Sequence, residues 1–231
     1  MIQQRVLQHA GDYQYRLHTK KIEKICPEQL KKFFESAMIK IPDEYFLDGP
    51  RCSAANSIKE ITIKKIEHEV SVLTRIALES NYYDNAHLNV QMFMLGYDHK
   101  TVGIEVPVWL EEDEQKQLDE GFIINQTKIL DAQQNEVTKY SQIKKEKIKT
   151  PINKIKQNLT GHIDLIRIEN GKIWVWDYKP NAHREKKAHI QTTLYTLMLS
   201  KRTGIPLKQL RCGYFDDKNV YEVNLENIKS N

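Results

Sequence analysis

Hydrophobic and polar residues alternate with the period of β-strands at several places after residue 100. Residues 101–109, 163–168 and Lys172–Tyr178 are rich in β-branched and aromatic side chains, which predicts three strands. The apolar run Leu210–Phe215 predicts a fourth strand, and Val220–Val223 predicts an edge strand that closes the sheet.

Apolar residues spaced by three and four positions predict helices on either side of these strands. One helix is predicted over about 56–79 and another over about 184–202, with short strands expected after His87. Pro27 has the position of a helix start, so the beginning of the chain is predicted to be mostly helical. This order of elements predicts an α/β fold with a mixed central β-sheet flanked by helices.

No glycine-rich or proline-rich linker divides the sequence. We therefore expect a mainly helical N-terminal extension over 1–55 and one α/β domain over 56–231. Within that domain, the polar block 111–158 is predicted to be an insertion or a mobile segment.

Composition narrows the class of protein. The 231 residues are 40% hydrophobic and 29% charged, which excludes a membrane protein, a collagen-like chain and a wholly disordered one. Three cysteines stand far apart, and no signal peptide is evident, so we expect a cytoplasmic protein without membrane attachment. Three cysteines are also too few for a four-cysteine iron–sulfur cluster. The lysine-rich block 139–156 is either a solvated surface or a site for a phosphate backbone.

The most informative segment is a predicted β-hairpin. Asn170-Gly171 between two strand-like runs predicts a two-residue type I′ turn. Counting back from that turn along both strands places Asp164 opposite Asp177 on one face, and Lys179 projects from the same face.

Two carboxylates that face each other destabilise a sheet unless they share a proton or bind a divalent cation. Mg²⁺ and Mn²⁺ prefer oxygen ligands, lower the pKa of a bound water and neutralise phosphate charge. A lysine beside them can orient or deprotonate that water. The alternative is a surface hairpin with scattered charges.

Two helices carry further candidates. Gln191 and Tyr195 share one helical face with Arg184, where they could bind a phosphate, a base edge or the lysine; alternatively, the glutamine caps a partly buried tyrosine. In the predicted helix 56–79, Glu69 lies within the apolar face with His68 at its edge. A buried carboxylate is costly unless it is paired or metal-bound, although lone histidines are usually structural.

Together these segments resemble a known family. His68-Glu69 on a helix, Gly161-x-x-Asp164, Asp177-x-Lys179 and Gln191-x-x-x-Tyr195 follow the order of the RecB-like branch of the PD-(D/E)XK nuclease superfamily. That branch includes nuclease domains of bacterial recombination exonucleases and of CRISPR-adaptation nucleases. Glu105-Val106-Pro107-Val108 also resembles the strand that often precedes Gly-x-x-Asp there. The resemblance covers roughly 55–215 and implies a restriction-endonuclease-like core.

The resemblance implies a role for each matching position. Lys179 would be the catalytic lysine, and Gln191 and Tyr195 would be an accessory motif at the active site. Many relatives also carry an iron–sulfur cluster, which the cysteines of this chain exclude. The implied metal ligands are His68, Asp164, Asp177 and the backbone carbonyl of Tyr178.

We therefore expect a Mg²⁺- or Mn²⁺-dependent DNA nuclease that acts on single-stranded DNA or DNA ends, more as an exonuclease than as a sequence-specific endonuclease. Replication, repair or recombination proteins are candidate partners. The alternatives are a non-catalytic nucleic-acid-binding module of the same fold and another metal-dependent phosphohydrolase. Glu69 and Glu105 are candidate additional acids, and the candidate DNA-binding residues are Arg184, Lys144, Lys145 and Lys147.

Overall fold

A computed structural model describes residues 1–9, 11–57, 61–118, 122–130, 144–226 and 228, with the backbone alone at 48, 56, 57, 123–130 and 144–148. The strands are β1 (Ile2–Gln8), β2 (Asp12–His18), β3 (Ala55–Ser57), β4 (Ile63–Ile66), β5 (Thr101–Leu110), β6 (Ile123–Leu130), β7 (Lys144–Pro151), β8 (Leu159–Glu169), β9 (Lys172–Tyr178), β10 (Leu210–Phe215) and β11 (Val220–Val223). The helices are α1 (Thr19–Ile25), α2 (Glu28–Ile39), α3 (Asp43–Asp48), α4 (Glu69–Ser80), α5 (Ala86–Tyr97), α6 (Glu112–Gln115) and α7 (Ala188–Thr203).

Eight strands form one mixed sheet in the order β1-β2-β5-β8-β9-β10-β11-β4. Neighbouring strands are antiparallel except β9 and β10, which are parallel. Two separate apolar clusters show that helices cover both faces: α7 contributes Ile190 and Leu194 to one, and α4 and α5 contribute Val70 and Val90 to the other. The predicted α/β fold with a restriction-endonuclease-like core is confirmed.

The hairpin between β8 and β9 has the predicted turn and register. Asn170 and Gly171 have φ values of 49° and 71°, as a type I′ turn requires. The ladder runs from the pair Glu169–Lys172 to the pair Leu165–Trp176. The three C-terminal strands also have their predicted bounds, whereas β5 and β8 are longer than expected.

Two of the predicted helical regions are wrong in detail. The helix expected over 56–79 is replaced by β3, β4 and a shorter α4, because the β-branched segment around Ile63 pairs with β11 at the sheet edge. After His87 the chain forms α5 where short strands were expected. At the other end, α7 begins at Ala188, and Arg184 lies in the preceding 3₁₀ turn.

The N-terminal region is tied into the main sheet. Its first two strands form a hairpin, and β2 pairs with β5 through Arg16–Ile104 and Leu17–Gly103 before α1, α2 and α3 follow. Part of the block 111–158 is also regular: α6 is followed by a β6–β7 hairpin that pairs with β3. Residues 119–121 and 131–143 of that block lie outside the described residues. Among the described residues, no helix is long and apolar enough to cross a membrane.

Candidate active site

Three elements converge on the middle of the main sheet, at the start of α5, in β5 and in β8. The side chain of Asn85 caps α5 by accepting hydrogen bonds from the backbone N–H groups of His87 and Leu88, at 2.8 and 3.2 Å. This cap places His87 in the first turn of α5, from which its ring reaches across to β5 and β8.

His87, Glu105 and Asp164 each offer a ligand atom, and these atoms lie within 4.8 Å of one another. His87 Nε2 lies 3.2 Å from Asp164 Oδ2 and 3.9 Å from Glu105 Oε1. Gln91, one turn further along α5, donates to Glu105 Oε1 at 2.6 Å. Glu105 has a φ of 50°, a left-handed conformation that is unusual inside a strand and that clusters at functional sites.

Asp177 and Lys179 come from the end of β9. Lys179 Nζ forms an ion pair with Asp177 Oδ2 at 2.7 Å, whereas the buried Asp177 Oδ1 has no hydrogen-bond donor among the described residues. Asp164 Oδ2 accepts the backbone N–H of Tyr178 at 2.8 Å. The ladder between β8 and β9 keeps the predicted register but ends at the pair Leu165–Trp176, one pair before Asp164 and Asp177.

These five residues (His87, Glu105, Asp164, Asp177 and Lys179) are referred to as the acidic cluster. Burial and the Asp164 charge raise the pKa of Asp177 and of Glu105 to about 7. The Asp164 charge raises the pKa of His87 to about 9. Burial alone would raise the pKa of Asp164, but His87 and Lys179 outweigh it and lower that pKa.

The pKa of Lys179 also depends on burial and on neighbouring charges, which act on it in opposite directions. Burial acts to lower its pKa, but the charges of Asp177 and Asp164 outweigh burial and raise it above the usual value for lysine. The ammonium is therefore charged at neutral pH. The three carboxylates of this cluster compete for the same protons and cations. Such competition is expected of neighbouring carboxylates that need a shared proton or a metal.

The cluster has the features of a divalent cation site. Its donors are carboxylate oxygens and one imidazole, which suit hard or borderline divalent ions. Asp177 Oδ1 is buried without a hydrogen-bond donor among the described residues, and leaving an acceptor in that condition is costly unless a cation satisfies it. These residues fit a divalent metal.

A cavity of about 230 Å³ opens beside the cluster and is lined by Glu105, Asp164, Gln191 and Tyr195 among others. Gln191 Nε2 donates to the Tyr195 hydroxyl at 2.6 Å, which is the pairing predicted from their spacing on a helix. A Cβ at Gly161 would lie 2.1 Å from Tyr195 Cε1, so the tyrosine ring needs a glycine there.

The structure does not bring His68 and Glu69 to this cluster. His68 caps α4 by accepting from the backbone N–H of Val70 at 3.2 Å, and its Nε2 lies 3.1 Å from Glu169 Oε2. Glu69 pairs with Arg167 at 2.8 Å, and its side chain is 46% exposed. The buried helical face inferred for Glu69 was wrong, because α4 begins at this residue.

Of the remaining candidates, Tyr178 adjoins the cluster, and the DNA-binding candidates are exposed or have no described side chain. Arg184 is exposed in its 3₁₀ turn. The ring of Tyr178 meets His87 edge-on at 5.5 Å. Lys144, Lys145 and Lys147 lie on β7, where the backbone alone is described. Their DNA-binding roles stay predictions.

Sequence reasoning missed His87 and Gln91. The signal that could have found them is the capping residue Asn85 followed by a run rich in leucine, methionine and glutamine, which is typical of a helix start. No local pattern, however, shows that this helix packs on Glu105.

An α/β fold with a buried group of carboxylates, a histidine and a lysine defines a class of protein whose residues suit metal-dependent phosphate chemistry. The family model of the PD-(D/E)XK nuclease superfamily matches residues 70–229, and the chain belongs to this superfamily of metal-dependent nucleases. Neither curated proteins nor solved structures include a match to the chain. The matched region contains the acidic cluster and begins just after His68 and Glu69.

Proposed function

We propose that this protein is a Mg²⁺- or Mn²⁺-dependent deoxyribonuclease of the RecB-like branch, acting on single-stranded DNA or DNA ends as an exonuclease. The observation that carries the proposal is the buried carboxylate of Asp177, which interacts with Asp164 and Lys179 and whose Oδ1 has no hydrogen-bond donor among the described residues. Nucleic acid as the class of substrate follows from the superfamily.

In this proposal Asp164, Asp177 and Glu105 hold the metal together with His87, which replaces His68 in that role. The bound metal supplies an acidic water and neutralises charge on the scissile phosphate. The Tyr178 carbonyl stays a candidate ligand.

Lys179, charged and within reach of Asp177, orients the attacking water and stabilises the charge that develops on the phosphate. Gln91 fixes Glu105, and the Gln191–Tyr195 pair shapes the cavity wall next to Asp164. Arg184 and the β7 lysines are proposed to hold the DNA backbone.

Two further parts of the proposal concern the setting. The three cysteines are buried and free, which agrees with a reducing cytoplasm. Proteins of DNA replication, repair or recombination are the proposed partners, since such proteins generate single strands and ends.

The test measures degradation of internally labelled DNA with Mg²⁺, Mn²⁺ or EDTA. Linear and circular single strands, duplexes and RNA of the same sequence are compared. We expect cleavage of linear single-stranded DNA only with metal, little cleavage of circles, and loss of cleavage in Asp177→Asn. Asp113→Asn, an exposed carboxamide substitution, is the matched control.

Equal cleavage by wild type and Asp177→Asn would refute the assigned site. Binding of DNA in EDTA with no cleavage under any metal would instead favour the non-catalytic binding module. Cleavage of circles would refute the exonuclease assignment, and preference for RNA would refute the choice of DNA.

A further inference from the structure

The N-terminal region, which precedes the family match, forms one wall of the active-site cavity. Tyr13, Arg51 and Ser53 line this cavity together with Glu105 and Asp164. Because β2 pairs with β5 in the main sheet, this wall belongs to the same packed unit as the acidic cluster.

The backbone of Arg51 is fixed against β8. The carbonyl of Pro50 accepts the Thr160 N–H at 3.1 Å, and Arg51 itself forms a parallel bridge with Thr160. A Cβ at Gly49 would lie 2.4 Å from the carbonyl oxygen of Asn158, so the close approach requires glycine. Arg51 is thereby held beside the strand that carries Asp164.

The side chain of Arg51 is held as firmly. Nη1 donates to the Tyr13 hydroxyl at 2.7 Å, and Nη2 donates to the His9 carbonyl. The Tyr13 ring is in turn stacked on His162, with ring centroids 3.8 Å apart. These contacts fix the direction of the guanidinium at the cavity.

The guanidinium keeps donors for a ligand. It has five N–H groups, and the two contacts above engage two of them. Among the residues described, no carboxylate pairs with Arg51. An arginine held in place without an acidic partner is suited to a bidentate contact with a phosphate.

The size and charge of the cavity identify what part of a substrate could enter. Its volume of about 230 Å³ is below the roughly 300–1,000 Å³ of pockets that enclose whole small ligands. A cavity of this size holds only part of a nucleotide chain, and the arginine in its wall favours a backbone phosphate as that part. The carboxylates of Glu105 and Asp164 in the cavity wall repel a phosphate, and the guanidinium of Arg51 in the same wall offsets that repulsion.

We infer that Arg51 is a substrate-binding residue that contacts a backbone phosphate neighbouring the scissile one. The inference rests on the proposed function for the choice of nucleic acid as ligand. It gives the N-terminal region a direct part in binding the substrate strand.

The first test uses single-stranded oligonucleotides that each carry one neutral methylphosphonate at a different position. In the wild type, neutralising the contacted phosphate should lower kcat/KM roughly 10- to 100-fold. Arg51→Gln should show a similar loss on the unmodified strand, mainly in KM, and no further loss from that methylphosphonate. Such non-additivity identifies a direct pair. Arg51→Lys should retain part of the sensitivity.

The second test needs no cleavage. Oligonucleotide binding is followed by fluorescence anisotropy in EDTA across a range of salt concentrations. Loss of one phosphate contact in Arg51→Gln should reduce the slope of log K against log[salt] by about 0.7. Arg75→Gln removes an exposed charge from α4 and should leave the slope unchanged.

The outcomes separate this inference from the proposed function. If wild type and Arg51→Gln have the same methylphosphonate sensitivity and the same salt slope, the phosphate contact is overturned, even if the protein is a nuclease. A changed slope in a protein that never cleaves would support the contact and refute the nuclease. If Arg51→Gln does not fold, Arg51→Lys and Tyr13→Phe are tested. Full wild-type methylphosphonate sensitivity in both would then overturn the inference.

Discussion

Two histidines contact the same face of β9, and the carboxylate clusters to which they belong have opposite electrostatic character. His68 contacts the rings of Trp174 and Trp176, whereas His87 contacts the ring of Tyr178 further along the strand. The cluster around His68 contains a fully buried arginine, and the acidic cluster around His87 does not.

The first of these, the paired cluster, consists of His68, Glu69, Asp98, Arg167 and Glu169. Arg167 donates to all three carboxylates, at 2.8 Å to Asp98, 2.6 Å to Glu169 and 2.8 Å to Glu69. Each buried charge there has a partner, as a structural network requires.

The acidic cluster leaves Asp177 Oδ1 without a donor among the described residues, and burial and the Asp164 charge raise the pKa of two of its carboxyl groups to about 7. A histidine beside a glutamate is therefore a poor guide to a metal site. The useful guide is whether the surrounding charges are balanced by the protein itself.

The largest expected effect is on the paired cluster. Arg167→Met leaves Asp98 and Glu169 buried without their cation, so the free energy of unfolding should fall by about 3–5 kcal/mol. Urea unfolding followed by circular dichroism measures it, with the exposed Arg75→Met as control. A loss as small as that of the control would contradict the structural role of this network.

The next effect separates activity from stability. Asp177→Asn should lower cleavage about 100-fold or more, because a group that holds the metal is lost. The same substitution should raise the melting temperature of the metal-free protein at pH 8, because it removes a carboxylate whose ionisation burial opposes. Cleavage assays and thermal unfolding measure both. A lower melting temperature would mean that its ion pair with Lys179 dominates.

Substituting each histidine by alanine compares the clusters directly. His87→Ala should weaken metal affinity roughly 10- to 100-fold. His68→Ala should leave metal affinity unchanged but cost about 1 kcal/mol through the lost cap of α4, which is roughly 2–4 °C in melting temperature. Metal titration and thermal unfolding of both variants decide the matter. Weaker metal affinity in His68→Ala, with unchanged affinity in His87→Ala, would instead identify His68 as the metal ligand.

The smallest expected effect is a pH dependence. The pKa of His87 is raised from 6.5 to about 9, so its stabilising contribution is complete below pH 6.5 and is lost as the pH rises through 9. The metal-free His87→Gln variant should therefore be less stable than wild type by about 1–2 kcal/mol at pH 6, and equally stable near pH 10. The exposed His99→Gln variant is the control. A difference that does not change with pH would contradict the proximity of Asp164.

Much of the central site could be predicted because it is encoded locally. The Asn170-Gly171 turn set the register of β8 and β9, and alternation along a strand put Lys179 beside Asp177. The Gln191–Tyr195 contact likewise follows from the period of a helix. Each of these relations spans only a few residues of backbone with known geometry.

The errors concern segments that are distant along the chain. The isoleucines around Ile63 fit a helical face as well as a strand, and only pairing with β11 decided for the strand. The helical pattern predicted a buried position for Glu69. In the structure Glu69 is the first residue of α4, and the start of α4 depends on where the preceding strand ends.

The sequence by itself determined the hairpin, the side-chain positions along its strands and the membership of a nuclease superfamily. The tertiary structure decided which histidine lies against Asp164, which carboxylates are neutralised by Arg167, and that Arg51 from the N-terminal region lines the cavity. The physical reason is that local geometry follows from a few dihedral angles, whereas the balance of charge at a site depends on every segment that packs around it.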